Sequence, residues 1–229
     1  HAVDRPRDEG PPVLVSREHL ASGRARAIVV NAGCANAGTG EGGLKDARET
    51  AEIVAHTIGC TVEEVLVAST GVIGVRLPME KVRAGIAEAG RRISRHAGAD
   101  AARAIMTTDT KPKEVAVEFP VGDAPCVVGG MAKGAGMIAP NLATMLAFFT
   151  TDAAVSSALL RRALVEAVGD SLNRITVDGD TSTNDCAVVL ASGARSALAI
   201  DHEGPDFRAF RGALTDAAQT NPSVLNTRL

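Results

Sequence analysis

A mixed α/β or α+β fold is what this sequence predicts, and three observations carry it. Short β-branched runs at residues 26–31, 65–68 and 186–191 alternate with stretches whose apolar residues recur at a period near 3.6. No stretch repeats itself, and neither a Walker A loop nor a G-x-G-x-x-G turn follows any strand, so a nucleotide-binding doubly wound sheet is not indicated. At 229 residues, with 45% apolar and 22% charged side chains, the chain is long enough to bury one large core. Residues 12–229 read as a single catalytic-type domain behind an irregular, charged and Pro-containing segment, 1–11.

The elements follow in order. Residues 26–31 form a buried strand, and the Gly- and Asn-rich stretch 32–43 a loop. Residues 44–58 place Ala47, Ala51, Val54 and Ile58 at helical spacing and stop at Gly59, suited to the left-handed position after a helix. Thr61-x-x-Glu64 has the form of a capping box, a single turn leading into a strand at 65–68. Residues 69–74 are a glycine-bearing turn. Pro78 opens a helix over 79–96, and Asp100 caps a short one over 101–106. Residues 113–119 and 124–128 pair around the Val121-Gly122-Asp123 turn. A strand at 145–150, a helix at 155–175, a strand at 186–191 and a helix at 207–219 complete the chain.

Composition excludes several classes. The net charge is −3 without a basic block, and aromatic residues are only 2% with no Trp or Tyr, so neither a nucleic-acid footprint nor a base-stacking platform is present. No apolar run is long enough to span a bilayer and no signal peptide opens the chain, which makes the cytoplasm the expected location. The four cysteines (34, 60, 126 and 186) are widely spaced, and the five histidines show no ligand spacing, so no metal site is expected. Asp178-Gly179-Asp180 resembles the start of a calcium loop, but Thr183 stands at the sixth position and Val189 at the twelfth, where glycine and glutamate are needed. The start at His1 and the unclosed pattern of the last residues are expected of an incomplete chain.

Residues 129–152 are the densest in chemical signal. Glycines and Lys133 lead through Pro140 to Asn141-Leu142-Ala143-Thr144, and an apolar run follows at once. A hydroxyl held where a glycine-rich loop meets a buried strand has the geometry of an activated nucleophile, while an ordinary strand threonine fits the same pattern. Ser69-Thr70-Gly71-Val72-Ile73-Gly74 is either a strand-ending turn or a donor site for negative charge. Lys133 alone reads as a solvated lysine, and residues 107–113 as a hydroxyl-rich turn in which Thr107, Thr108 or Thr110 faces inward.

Together these motifs resemble the ornithine acetyltransferase family, the bifunctional glutamate N-acetyltransferases of arginine biosynthesis. The resemblance is carried by Lys133-Gly134-Ala135-Gly136-Met137, Ala139-Pro140 and Ala143-Thr144-Met145-Leu146, in order and without gaps, and runs from about residue 12 to 193. It implies the layered sandwich of sheets and helices of the self-cleaving ornithine acetyltransferase fold. It also implies cleavage between Ala143 and Thr144, giving parts 1–143 and 144–229, with Thr144 as the freed nucleophile. The new α-amine, with an unperturbed pKa of about 7.7–8.0, would serve as its base. By resemblance Thr70 and Gly71 are the oxyanion donors, and Thr107, Lys133 and Thr144 contact substrate. The implied substrates are N-acetylornithine and glutamate, with no cofactor, acetyl-CoA left open as a further donor, and two α and two β parts assembled as a heterotetramer.

Two departures bear on this. Residues 31–37 carry Ala32 and Cys34 where the family more often has serine and asparagine, so no catalytic part is assigned there. Residues 178–185 are read as structural support or as support behind the residues that contact substrate. Family members are also longer, and the part beyond this chain supplies a glutamate, an asparagine and a serine or threonine to the pocket. An amidohydrolase or aminopeptidase using the same nucleophile with water as acceptor, and an inactive remnant serving as an interaction module, are the alternatives.

Overall fold

The structure, a computed structural model, describes residues 9–134, 145–174, 182–195 and 198–223. The chain falls into two compact units. One comprises the described residues up to Thr107 together with Thr183–Asp185, and the other Thr108–Ser182 and the chain from Cys186 onward. No linker marks this division in the sequence, where residues 12–229 read as one domain.

The N-terminal unit is a parallel strand pair with helices. It runs α1 (Pro11–His19), β1 (Ala27–Cys34), α2 (Gly40–Ile58), β2 (Val65–Val72), α3 (Met79–Arg92) and α4 (Gly98–Ala104). β1 and β2 pair in parallel from Ala27 opposite Val65 to Gly33 opposite Gly71, with a bulge at Cys34. The intervening α2 is the crossover that a parallel pair requires. Ala47, Ala51, Val54 and Ala55 pack its apolar face against Val65 and Val67, and Val15 from α1 joins them. From Val65 to Thr70 every residue of β2 is buried, as befits a covered parallel strand.

The C-terminal unit is a four-stranded mixed sheet. It contains β3 (Lys113–Val121), β4 (Ala124–Lys133), β5 (Leu146–Thr151), β6 (Ala154–Val155), α5 (Ser157–Asp170), β7 (Cys186–Ala191), β8 (Ala199–Ile200) and α6 (Pro205–Ser223). The sheet order is β3-β4-β5-β7, antiparallel except for the parallel β5–β7 pair, and β6 and β8 form a separate short pair. α5 lies in the β5-to-β7 connection and α6 packs on β3. Phe210 of α6 is fully buried, its ring centroid 5.7 Å from that of Phe119. Burying such a side chain stabilises the fold by roughly 1.5–3 kcal/mol.

The predicted strands and helices are all present, with corrected limits. Segment 1–11 is not irregular to its end, because α1 begins at Pro11; proline suits a first helical turn, whose N–H groups lack partners anyway. The loop at 32–43 is shorter than read, since pairing with β2 extends β1 to Cys34 and α2 starts at Gly40. Gly59 is left-handed, as expected, and the Thr61/Glu64 capping box forms, with Thr61 N donating to Glu64 Oε2 at 3.2 Å. Asp100 lies in the first turn of α4 instead of capping it, where its charge faces the positive helix end. The helix from 79 ends at Arg92 and the one expected over 155–175 spans Ser157–Asp170, with Val155 in β6. β4 runs on to Lys133 because Gly129 and Gly130 are strand residues: a Cβ on Gly130 would stand 2.7 Å from the Phe149 ring.

Among the described residues no helix is long and apolar enough to cross a membrane, and no three His, Cys, Asp or Glu side chains gather as a metal site would require. Cys126 is fully buried, and burial pushes its thiol pKa up.

Candidate functional site

The end of β2 is braced by side chains and backbone together. The strand leaves the core between Thr70, which is buried, and Gly71, which is exposed. Gly71 has φ +132°, and a Cβ there would lie 2.6 Å from Cys34 N and 2.5 Å from Gly33 O. Glycine is therefore required twice over, for its backbone angle and for the approach of β1. The turn expected over residues 69–74 is in fact strand through Val72.

Side chains fix this end from both strands. Ser69 Oγ donates to Asn31 Oδ1 at 2.6 Å, and Asn31 Nδ2 donates to Cys34 O at 2.8 Å. Asn184 Nδ2 donates to Ser69 O at 3.0 Å and also to Ala35 O. Beyond the strand, Ala35 N donates to Val72 O at 2.9 Å and Gly74 N to Ala37 O at 2.7 Å. Arg76 Nε donates to Asp46 Oδ2 at 2.9 Å, and that hydrogen bond raises the guanidinium pKa above its usual value. The result is a peptide unit held rigid at the edge of a core. A developing negative charge calls for donors preorganised in this way.

Of residues 107–110, the three threonines are exposed and Asp109 is the buried member. Its carboxylate accepts from Lys113 Nζ and, at 2.9 Å, from Gly134 N; Lys113 Nζ in turn donates to Gly134 O at 3.1 Å. Both side chains are almost wholly excluded from solvent. This pair, in the C-terminal unit, clamps the amide and the carbonyl of the residue that follows Lys133.

Lys133 is itself buried, at the last position of β4 opposite Leu146, and is not the solvated loop lysine its sequence context suggests. On the far side of the connection, Cys186 N donates to Met145 O at 3.1 Å. The segment between, 135–144, with Ala143 and Thr144, lies outside the described residues. So do residues 175–181, with Asp178 and Asp180. Thr70, Gly71 and Thr107 belong to the N-terminal unit and Lys133 to the C-terminal one.

Asp109 and Lys113 are the residues that sequence reasoning passed over, while Asn184 was covered only by the general reading of 178–185 as support. A lysine at the first position of an apolar strand was the one available signal for Lys113. For Asn184 the signal was the polar run 178–185 before a strand, which did not single out this residue within it.

A model of the ArgJ family matches residues 5–221. The arginine biosynthesis bifunctional protein ArgJ of Symbiobacterium thermophilum is 53% identical over 203 residues, which are 89% of this chain and 50% of that protein. The chain thus spans about half the length of the curated relatives it matches. Two solved structures are similar. The ArgJ protein of Bacillus halodurans superposes with a TM-score of 0.56 at 34% identity, over 63% of this chain and 77% of that one. The ornithine acetyltransferase of Mycobacterium tuberculosis, solved with ornithine, gives 0.51 at 40% identity, over 60% and 74%.

Proposed function

The chain belongs to the ArgJ family, and from that premise we propose that it is the self-cleaving part of an acetyltransferase that moves acetyl from N-acetylornithine to glutamate. Thr144 Oγ attacks the Ala143 carbonyl carbon; the C–N bond breaks, an ester forms, and the released α-amine takes the hydroxyl proton. Water then hydrolyses the ester, leaving a carboxylate on Ala143 and Thr144 as a new N-terminus. In each turnover the α-amine accepts the Oγ proton while Oγ attacks the acetyl carbonyl of N-acetylornithine. Ornithine leaves with that proton on its amine. The amine of glutamate then attacks the acetyl-threonine ester, and N-acetylglutamate departs as Oγ regains a proton.

The other residues take supporting parts. Thr70 and Gly71 donate to the oxyanion of each tetrahedral intermediate. Lys133 supplies positive charge toward substrate carboxylates, and Thr107 contacts substrate. Acetyl-CoA as a second donor, a cytoplasmic location and a heterotetramer of two α and two β parts belong to the same proposal.

The observation that supports it best is the anchoring of both ends of the Gly134-to-Met145 connection, at Gly134 by Asp109 and Lys113 and at Met145 by Cys186. Attack on a neighbouring peptide carbonyl needs such a pinned chain, because orientation removes entropy from the barrier. Intact-mass measurement tests the proposal. Wild-type protein is expected as two fragments split between Ala143 and Thr144, and Thr144→Ala as one uncut chain. A wild-type full-length gene product that stays whole, or a Thr144→Ala variant that is still cut, overturns it.

A further inference from the structure

We infer that Asn184 is a positioning residue for the Thr70 and Gly71 donors, a role that rests on the oxyanion reading given above. Its side chain is 5% exposed at residue level, and every polar hydrogen on it is used. The two N–H bonds of one amide nitrogen run to Ser69 O in β2 and to Ala35 O just past β1. Oδ1 accepts from Thr183 Oγ1 at 3.2 Å. Ser69 O and the Cα of Thr70 belong to one planar trans peptide, so fixing the carbonyl fixes the direction in which the Thr70 hydroxyl projects and the strand that leads to the Gly71 N–H.

An amide fits this place where side chains of the same size and shape do not. A carboxylate would set negative charge against two carbonyl oxygens, and an aliphatic group would leave both without a donor. A neutral brace also adds no net charge beside the place where an oxyanion forms.

Gly10 provides independent support. Its φ of −69° and ψ of 153° are ordinary extended values, so backbone conformation does not demand glycine. Space does: a Cβ there would overlap Asn184 Oδ1 and stand 3.0 Å from Asn184 Cγ. Gly10 N meanwhile donates to Thr183 O at 2.9 Å, holding the segment that presents the amide. Glycine at position 10 is thus the room in which Asn184 sits.

The test is steady-state acetyl transfer by the full-length gene product, comparing wild type, Asn184→Ala, Gly10→Ala, the double variant and Thr70→Ala. Loss of a direct donor costs ~10²–10³ in kcat, and loss of its brace is expected to cost less, about 10- to 100-fold. KM for both substrates should stay within about twofold, and kcat is counted per Thr144 that takes up acetyl, so that an unfolded fraction does not register as lost kcat. Gly10→Ala, which displaces the amide without removing it, should lower kcat in the same direction. The double variant should be no worse than Asn184→Ala alone, because the clash disappears with the amide. Should Thr70→Ala lower kcat while Asn184→Ala and Gly10→Ala leave it at the wild-type value, the positioning role falls and the oxyanion reading stands. Additive effects of Gly10→Ala and Asn184→Ala overturn the positioning role as well. If Thr70→Ala itself leaves kcat unchanged, the oxyanion reading falls and takes this inference with it.

Discussion

Two strand ends in this molecule are fixed by opposite chemistries. At the end of β2, neutral amides of Asn31 and Asn184 hold the carbonyl groups of Cys34, Ser69 and Ala35. At the end of β4, the buried Asp109–Lys113 ion pair holds Gly134 by its N–H and its carbonyl. The amide brace depends on hydrogen bonds worth about 1 kcal/mol each, so it can direct a peptide without dominating the stability of its unit. In the charged clamp each ion is expensive to bury and tolerable only with its partner, so the clamp holds as a pair or fails as a pair. Direction is set at one strand end by geometry alone and at the other by charge.

The largest effect should come from splitting the charged pair. Asp109→Ala leaves a buried ammonium with a carbonyl in place of a carboxylate, and a loss of about 3–5 kcal/mol in the denaturant unfolding free energy is expected. Replacing both partners, as Asp109→Leu with Lys113→Met, should cost less than either single change; a double variant as unstable as the sum of the two would remove the distinction drawn above.

Gly71→Ala comes next. The φ of +132° alone should cost about 1–3 kcal/mol, and the clash with β1 adds to it; under the proposed function, acetyl transfer by the full-length gene product should fall with it because β2 shifts. A variant with wild-type thermal unfolding and activity would show that the close approach to Gly33 is not needed.

An exposed ion pair sets the lower end of the scale. Hydrogen bonding from Arg162, with a smaller contribution from Arg211, holds the Glu166 carboxyl below its usual pKa. A carboxylate depressed on folding adds stability above its unfolded pKa, about 4.3, and loses it as pH falls through the folded value. Wild type should therefore lose a small increment of stability on acidification from about pH 5 that Glu166→Gln lacks. The difference at neutral pH should stay under about 1 kcal/mol, since such pairs are screened by solvent.

Much of the fold was legible from local signals. Gly59, the Thr61/Glu64 box and the 3.6-residue spacing of Ala47, Ala51 and Val54 each act within a few residues, so their consequences could be read without knowing the partners. Glycines misled where their reason was steric. Gly129 and Gly130 read as loop, yet they lie in β4, and Gly130 is small because Phe149 lies against it. The site divided in the same way. Thr70, Gly71, Lys133, Ala143 and Thr144 stood out as ordered motifs. Asp109, hidden among threonines, and Asn184, hidden in a polar turn, could not, because their partners lie 25 and 115 residues away at Gly134 and Ser69.

The longer strands and helices after α1, the capped turns and the family motifs were determined by the sequence itself, since periodicity, capping and covalent spacing are properties of near neighbours. Tertiary structure alone decided that Lys133 is buried, that Asp109 and Lys113 clamp Gly134, and that Asn184 reaches Ser69. Burial and hydrogen-bond satisfaction depend on which distant segments converge, and desolvation makes a polar group costly or useful only once that convergence has taken place.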